Sequence, residues 1–402
     1  MLPARPLASL SAAGIGLALA FAAIASAPVR GQETLRAHLG GAPDAIATLH
    51  AALGEARHRH VRLGFWGASH TAGDEYTRIV RQRLQARFGD GGPGWYLPAR
   101  PFATGRAGVE VDAEGWRGRF VRGREGEPRH LDHYGVAGVS LRAEGHASAT
   151  LALESGVADT VTLHALRQPT GGTVAVRVGE AEAHLATRDA GSVSLRFPEA
   201  RPTVELETDG SGPVNVFGLD FHRGDRGVVV DAFGVPGSRL FDQEKWREET
   251  LRAQLAARPP DLVALAYGTN ESVRAREPVG ALRTRYRELI RRWRRLAPQA
   301  ACLLVGPGDF PRHRQGRYVP RPRLEAVVAM QRELATEEGC AFFDTFSFMG
   351  GRGAMERWVR RGLALRDHVH FTERGYAAMG QALTDALLEG YVPPDGRLAQ
   401  RR

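Results

Sequence analysis

Short runs of alternating side chains, from about Pro101 to Asp225, interrupt a chain that otherwise alternates between apolar strands and amphipathic helices. Before the interruption, Val61 to Trp66 reads as a buried strand, and Tyr76, Val80 and Leu84 follow at helical spacing. After it, Val228-Val229-Val230, Leu262 to Ala266 and the runs beginning at Cys302 and Cys340 read as strands. Helical patterns separate them over Gln243 to Ala256, Leu282 to Leu296 and Leu324 to Glu338, with a last one from about Glu373 to Leu388. Such alternation predicts a three-layer α/β/α fold around an open parallel sheet. Inside the interruption, Val139-Ser140-Leu141-Arg142, Thr150 to Leu153, Thr160 to Leu163, Val174 to Arg177 and Thr203 to Leu206 are punctuated by Gly, Asp and Pro, which predicts a β-sandwich. One strand–helix unit precedes the block and the others follow it. The expected organisation is therefore one discontinuous α/β domain, residues 34–100 and 227–391, with an inserted β-sandwich over 101–226 and a tail over 392–402. Residues from about Thr34 to Ala56 are expected to be helical, with a break near Gly40-Gly41-Ala42-Pro43.

The chain begins with Arg5, an apolar run from Leu7 to Ile24 and the small residues Ala25-Ser26-Ala27, the order of a secretory signal peptide over residues 1–27. The run is Ala-rich and barely of spanning length, which argues against a membrane span. A secreted or periplasmic protein without stable membrane insertion is expected. With 402 residues, 43% hydrophobic and 25% charged, dominant disorder is excluded. The formal charge of +9 suits an anionic partner, but the arginines are spread along the chain, and no nucleic-acid role is expected. Arg283 to Arg295 alternates with Leu282, Tyr286, Leu289, Trp293 and Leu296, the pattern of a solvated helix face. Cys302 and Cys340 are too few for a disulfide scaffold and lack metal-ligand spacing. A bridge between them requires neighbouring strands; two buried thiols are the favoured reading.

Four stretches carry candidate chemistry. Leu63 to Thr71 is an apolar run that stops at Gly67-Ala68-Ser69-His70, placing Ser69 where a strand turns into a helix, outside the carboxyl end of the sheet. Asp231 to Ser238 offers Gly237, whose backbone N–H can donate to an oxyanion. Tyr267-Gly268-Thr269-Asn270-Glu271 follows an apolar strand and brings the Asn270 amide. Asp367-His368-Val369-His370-Phe371-Thr372 precedes the last helix, with Thr372 as its N-cap. A carboxylate three residues ahead of an imidazole can orient that ring to take a proton from a serine, which singles out Asp367 and His370 and leaves His368 as a decoy. The 14 histidines form no ligand set, and His130-Leu131-Asp132-His133 reads as surface of the β block, so no metal and no cofactor are expected. Trp116 and Tyr134 are core aromatics or sugar-stacking platforms.

Together, Gly67-Ala68-Ser69-His70, Gly237, Gly268-Thr269-Asn270 and Asp367-x-x-His370 resemble, in order, the four blocks of the SGNH (GDSL-type) hydrolase family. The resemblance implies the flavodoxin-like SGNH fold, Ser69 as nucleophile, His370 as base and acid, Asp367 as its orienter, and an oxyanion hole from the N–H groups of Ser69 and Gly237 and the side chain of Asn270. The closer resemblance is to secreted peptidoglycan O-acetylesterases, in which a β-sandwich like a carbohydrate-binding module interrupts the catalytic domain. Ser-His-Thr after the strand, Phe88-Gly89-Asp90-Gly91-Gly92 and the position of the insertion carry it. It implies a serine esterase hydrolysing O-acetyl esters on a cell-wall or extracellular polysaccharide, foremost peptidoglycan. Two alternatives stand: a glycan O-acetyltransferase using the same acetyl-serine, and an inert SGNH domain carrying a glycan-binding module. The family usually has Asp before the serine and after the asparagine. Here Ala68 and Glu271 stand there, and the first implies loss of a carboxylate bracing the serine's turn.

Overall fold

The computed structural model describes residues 37–100, 102, 106, 108–122, 132–273 and 277–394. The expected signal, His130, Leu131 and residues 395–402 lie outside them. Five parallel strands form the central sheet: β1 (His60–Gly67), β2 (Gly227–Gly234), β3 (Leu262–Ala266), β4 (Ala301–Val305) and β5 (Ala341–Phe343). Their lateral order is β2-β1-β3-β4-β5, the flavodoxin-like arrangement. Leu39–Gly41 adds an antiparallel edge strand on β5, so the helical expectation for that stretch holds only for the later helix Ala47–Gly54. Three residues carry too little pattern to show a strand; the open edge of β5 supplies the hydrogen bonds that make one.

The seven helices that matter here are α1 (Ser69–Ala72), α2 (Glu75–Phe88), α3 (Glu248–Ala257), α4 (Thr269–Val273), α5 (Val279–Leu296), α6 (Pro322–Glu337) and α7 (Glu373–Leu387). α2 packs with α7, and α5 with α6. Right-handed crossovers in this strand order put those two pairs on opposite faces of the sheet. The expected helix from Gln243 begins instead as a 3-10 turn, Leu240–Lys245, broken by extended Trp246 before α3. α5 turns Leu282, Tyr286, Leu289, Ile290 and Trp293 inward and its arginines outward, as its spacing predicts.

Register decides where the site can form. Gly67 of β1 lies beside Gly234 of β2 and Ala266 of β3, which lies beside Val305 of β4. Four strands thus end level, and the loops leaving them converge. The same register draws Cys302 toward Cys340, which are joined as a disulfide with Cα atoms 4.6 Å apart; the two free thiols favoured from sequence are not found.

The alternating runs form two antiparallel sheets. One orders Ala181–Ala186, Thr173–Val178, Thr203–Thr208, Ser148–Leu153 and Val109–Glu114; the other Ser192–Ala200, Ala158–Ala165, Val214–His222, Val139–Ala143 and Arg117–Phe120. Leu151, Val161, Leu163, Val176 and Val204 fill the space between them. Gly94–Tyr96, which precedes residue 101, pairs with Val214–His222. The two layers share a core, since Val136, Val139, Leu141 and Phe217 cluster with Trp66, Phe233 and Trp246. Tyr134 belongs to that core, and the half-buried Trp116 donates its indole N–H to the Ser148 carbonyl at 2.9 Å.

Charge also joins them. Asp220, on the sandwich strand Val214–His222, accepts Arg258 Nη2 at 2.8 Å, and its Oδ2 lies 3.6 Å from Arg62 Nη1 on β1. Arg258 also donates to Asp231 of β2 at 3.0 Å, and His222 Nε2 donates to Asp220 at 2.6 Å. Burial disfavours the Asp220 carboxylate, but Arg258 and Arg62 outweigh it and hold its pKa well below the usual range.

Candidate active site

β1 stops at Gly67 because the chain must turn where nothing larger fits. A Cβ on Gly67 would come 2.2 Å from Thr71 Oγ1 and 2.9 Å from the Ala266 carbonyl oxygen. Backbone groups hold the turn. The Ala68 carbonyl accepts the N–H groups of Thr71 and Ala72 at 3.1 and 3.0 Å, and the Gly67 carbonyl accepts the Val235 N–H at 3.0 Å and the Ser238 hydroxyl at 3.3 Å. Ala68 itself is buried. Ser69 therefore opens α1 at the level where the strands end.

The loop before α7 meets it. An Ala364–Phe371 bridge and a 2.8 Å bond from the Leu365 N–H to the His370 carbonyl close this loop, and the Thr372 hydroxyl caps α7 at Gly375, as expected. Asp367 Oδ1 accepts the N–H groups of Val369 and His370 at 2.9 and 3.0 Å, and Oδ2 lies 2.7 Å from His370 Nδ1. Burial opposes ionisation of Asp367, but the His370 ring and those N–H groups more than offset it, so its pKa lies below the ordinary carboxylate value. An ionised carboxylate takes the Nδ1 proton, which leaves the Nε2 lone pair facing Ser69 Oγ at 2.8 Å. His368 is turned away: its φ is 57°, its Nδ1 donates to the Arg366 carbonyl at 2.9 Å, and its ring stacks on Tyr318.

The third group comes from the ends of β2 and β3. Val235-Pro236-Gly237-Ser238 is a type II turn, with Pro second, Gly237 at φ 76° and a 3.0 Å bond from the Ser238 N–H to the Val235 carbonyl. Among the described residues no acceptor takes the Gly237 N–H. Asn270, in the first turn of α4, donates one amide hydrogen to the Ser238 carbonyl at 2.9 Å and keeps a second. The structure thus links Gly237 to Asn270 and, separately, Ser69 to His370 and Asp367, all at the converging strand ends.

Sequence reasoning missed the supports of this constellation. Glu271, noted only as a departure, is buried and accepts the N–H groups of Leu240 and Gly268 at 2.8 and 2.9 Å and the Tyr286 hydroxyl at 2.8 Å. It ties the Gly237 turn to the Asn270 helix, and burial raises its pKa. His70 packs its ring 5.2 Å from that of His370 and meets the Tyr376 hydroxyl at 2.9 Å. Burial, then the neighbouring His370, push its pKa down to about 3, so it adds no charge beside the His370 ring. Arg122, from the sandwich side, donates to the Pro236 carbonyl at 3.1 Å and covers Gly237 so closely that a Cβ there would lie 3.0 Å from its guanidinium. Glu271 alone was within reach of the sequence, because an acid following the asparagine block was visible. Among the described residues no group of His, Cys, Asp or Glu is placed to hold a metal ion.

The model of the GDSL-like Lipase/Acylhydrolase family matches residues 209–378. That span contains Gly237, Asn270, Asp367 and His370 and begins after Ser69. A solved peptidoglycan O-acetylesterase is 26% identical, with 86% of this chain and 95% of that chain covered at a TM-score of 0.73. The chain thus matches a GDSL-like lipase/acylhydrolase model over part of its length and resembles a solved peptidoglycan O-acetylesterase over most of it. These two matches support a hydrolase of the esterase type, built on the SGNH fold with extra β sheets. Smaller likenesses include an acetylxylan esterase from Geobacillus stearothermophilus, 19% identical with 40% of this chain and 73% of that chain covered, TM-score 0.31. Another is an α/β hydrolase from the metagenome of Lake Arreo, 19% identical over 40% and 72%, TM-score 0.30. No curated protein matches the chain.

Proposed function

We propose that this protein is a secreted or periplasmic serine esterase that removes O-acetyl groups from a glycan, foremost peptidoglycan. The observation that carries the reading is the continuous hydrogen-bonded path from Asp367 Oδ2 through His370 to Ser69 Oγ, with links of 2.7 and 2.8 Å. Similarity to a peptidoglycan O-acetylesterase over most of both chains supports the substrate. The Cys302–Cys340 bridge and the signal-like first 27 residues support an oxidising compartment.

In this mechanism His370 Nε2 takes the Ser69 hydroxyl proton as Oγ attacks the acetyl carbonyl carbon. The carbonyl π pair moves to oxygen, and the N–H groups of Ser69 and Gly237 and the Asn270 amide receive it. Collapse expels the sugar alkoxide, which takes the proton from His370, and leaves acetyl-Ser69. Water, deprotonated by His370, then releases acetate and restores the serine. Asp367 stays ionised and stabilises the imidazolium at each stage. Acetate release from O-acetylated peptidoglycan tests the reading: Ser69→Ala is expected to lower the rate by about 10⁴-fold or more. Release at the parent rate would remove Ser69 as nucleophile.

A further inference from the structure

Between β4 and α6 the chain leaves the sheet as a small antiparallel ribbon, Arg312–Arg314 against Arg317–Val319. Gln315 and Gly316 turn it with φ of 49° and 74°, the positive pair that a two-residue type I′ hairpin requires. The register sets His313 opposite Tyr318, Arg314 opposite Arg317 and Arg312 opposite Val319. Side chains alternate between the faces of a strand, so the two aromatics share one face and the three arginines the other. The aromatic face is seated on the loop that carries Asp367 and His370. Tyr318 stacks on His368 with centroids 3.6 Å apart and planes at 21°, and His313 lies edge-on to Tyr318 at 5.2 Å. This seats the ribbon on the loop whose His370 meets Ser69.

Many arginines of the molecule meet carboxylates, such as Arg283 with Glu333, Arg285 with Glu244 and Arg352 with Glu325, while others, such as Arg196 and Arg374, stand exposed singly. The ribbon gathers three exposed arginines on one face. Arg312, Arg314 and Arg317 are exposed, and among the described residues no carboxylate or carbonyl engages their guanidinium groups. Arg366, exposed on the neighbouring loop, is in the same position. Like charges directly opposite one another destabilise a strand pair, and a two-stranded ribbon has little stability to lose. At the foot of the ribbon, burial and then Arg312 lower the pKa of Arg321, whose guanidinium lies over Phe310. An anion lying along this face would relieve the repulsion that the fold leaves standing.

We propose that the ribbon Arg312–Val319 is a docking strip for a glycan that carries carboxylates, held by its arginine forks so that a neighbouring acetylated sugar reaches Ser69. Guanidinium groups pair bidentately with carboxylates, and exposed arginines do so in a salt-dependent way. The role in turnover rests on the esterase reading above; the binding itself does not.

The test compares the parent with Arg312→Gln/Arg314→Gln/Arg317→Gln, using polygalacturonate and the same polymer with its carboxylates amidated as binding probes, and 4-nitrophenyl acetate as a substrate that needs no docking. The triple variant is expected to bind polygalacturonate about tenfold more weakly at low salt, with binding to the amidated polymer, 4-nitrophenyl acetate turnover and Tm unchanged. On O-acetylated peptidoglycan strands its KM rises by a similar factor with kcat kept. The Arg→Lys triple variant retains the charge and most of the low-salt binding. Equal binding of polygalacturonate by the parent and the Gln variant overturns the proposal, even if both hydrolyse acetyl esters. Charge-dependent binding in a parent with no ester turnover supports the strip and overturns the esterase reading instead.

Discussion

Asp220→Asn is expected to be among the most destabilising single substitutions in the protein, although it lies outside the constellation around Ser69. Asp220 and Asp231 face Arg258 and Arg62, so the buried cluster holds two carboxylates and two guanidinium groups. Asp220 is 1% exposed and Arg258 6% exposed, so water cannot replace a missing charge. The amide keeps the shape but leaves two cations against one carboxylate. Breaking a buried ion pair in this way costs about 3–5 kcal/mol. Against a total of about 5–15 kcal/mol for a typical domain, that is a large fraction. Removing one cation as well should restore balance: Asp220→Asn/Arg62→Met is expected to be more stable than the sum of the single changes by about 1–3 kcal/mol. The pH dependence has a fixed sign. The folded pKa of Asp220 is depressed, so its contribution is complete above the unfolded carboxyl value, about 3.9, and is lost as pH falls through the folded value. Urea unfolding midpoints at pH 7 measure the first effect, and a series carried from about pH 4 to about pH 2 measures the second. A variant within about 1 kcal/mol of the parent at pH 7, or strict additivity with Arg62→Met, would refute the charge-balance argument.

Other consequences are equally direct. Asp367→Asn removes the carboxylate that fixes the His370 tautomer and is expected to lower kcat by about 10³–10⁴-fold with little change in KM, measured on 4-nitrophenyl acetate. Glu271→Ala orphans the Leu240 and Gly268 N–H groups; a loss of about 2–5 kcal/mol in urea unfolding and about 10²-fold in kcat is expected, and full activity would show that the Gly237 turn stands without it. Replacing both Cys302 and Cys340 by Ala opens a loop with a sequence separation of 38 residues, which predicts a loss of about 2–4 kcal/mol, checked by unfolding parent and variant with and without reductant.

The sequence made legible whatever depends on neighbours in the chain. Leu262 to Ala266 and the run from Cys302 read as parallel strands because burial on both faces removes every polar residue from them. Asp367 and His370 were legible because a separation of three residues on a loop already permits their hydrogen bond, and Thr372 because a cap is a local device. What stayed hidden depends on register or on distant segments. Cys302 meets Cys340 only once β4 and β5 are aligned. Asp220 gives no sign of Arg62, which lies 158 positions earlier on another sheet. The ribbon Arg312–Val319 carries only the pair His313 and Tyr318 on one face, too short a pattern to mark a strand, and what seats it is the stack of Tyr318 on His368. Arg122 reaches Gly237 only because the sandwich is packed onto the α/β layer.

Ala68 brings these threads together. With alanine there, no side chain can brace the turn before Ser69, so the bracing must come from what surrounds it. The Gly67 carbonyl is gripped from the β2 side by Val235 and Ser238, and Thr71 Oγ1 lies 3.1 Å from the Tyr76 hydroxyl. Beyond α1 sits Asp74, fully buried at φ 57°, which accepts bonds from Thr77 at 2.6 Å, Arg81 Nη2 at 2.6 Å and Arg106 Nε at 2.8 Å. Burial opposes that carboxylate, and Arg106 and Arg81 overcome it, holding its pKa far below the ordinary range. A left-handed φ is tolerated by Asp better than by most residues, which suits it to the sharp entry into α2. The carboxylate that braces this segment thus lies after Ser69 rather than before it. One of its partners, Arg106, also donates to the carbonyls of Pro93 and Trp95, beside the strand that joins the sandwich. A path of hydrogen bonds thus runs from Asp74, just beyond α1, through Arg106 to the strand that joins the sandwich.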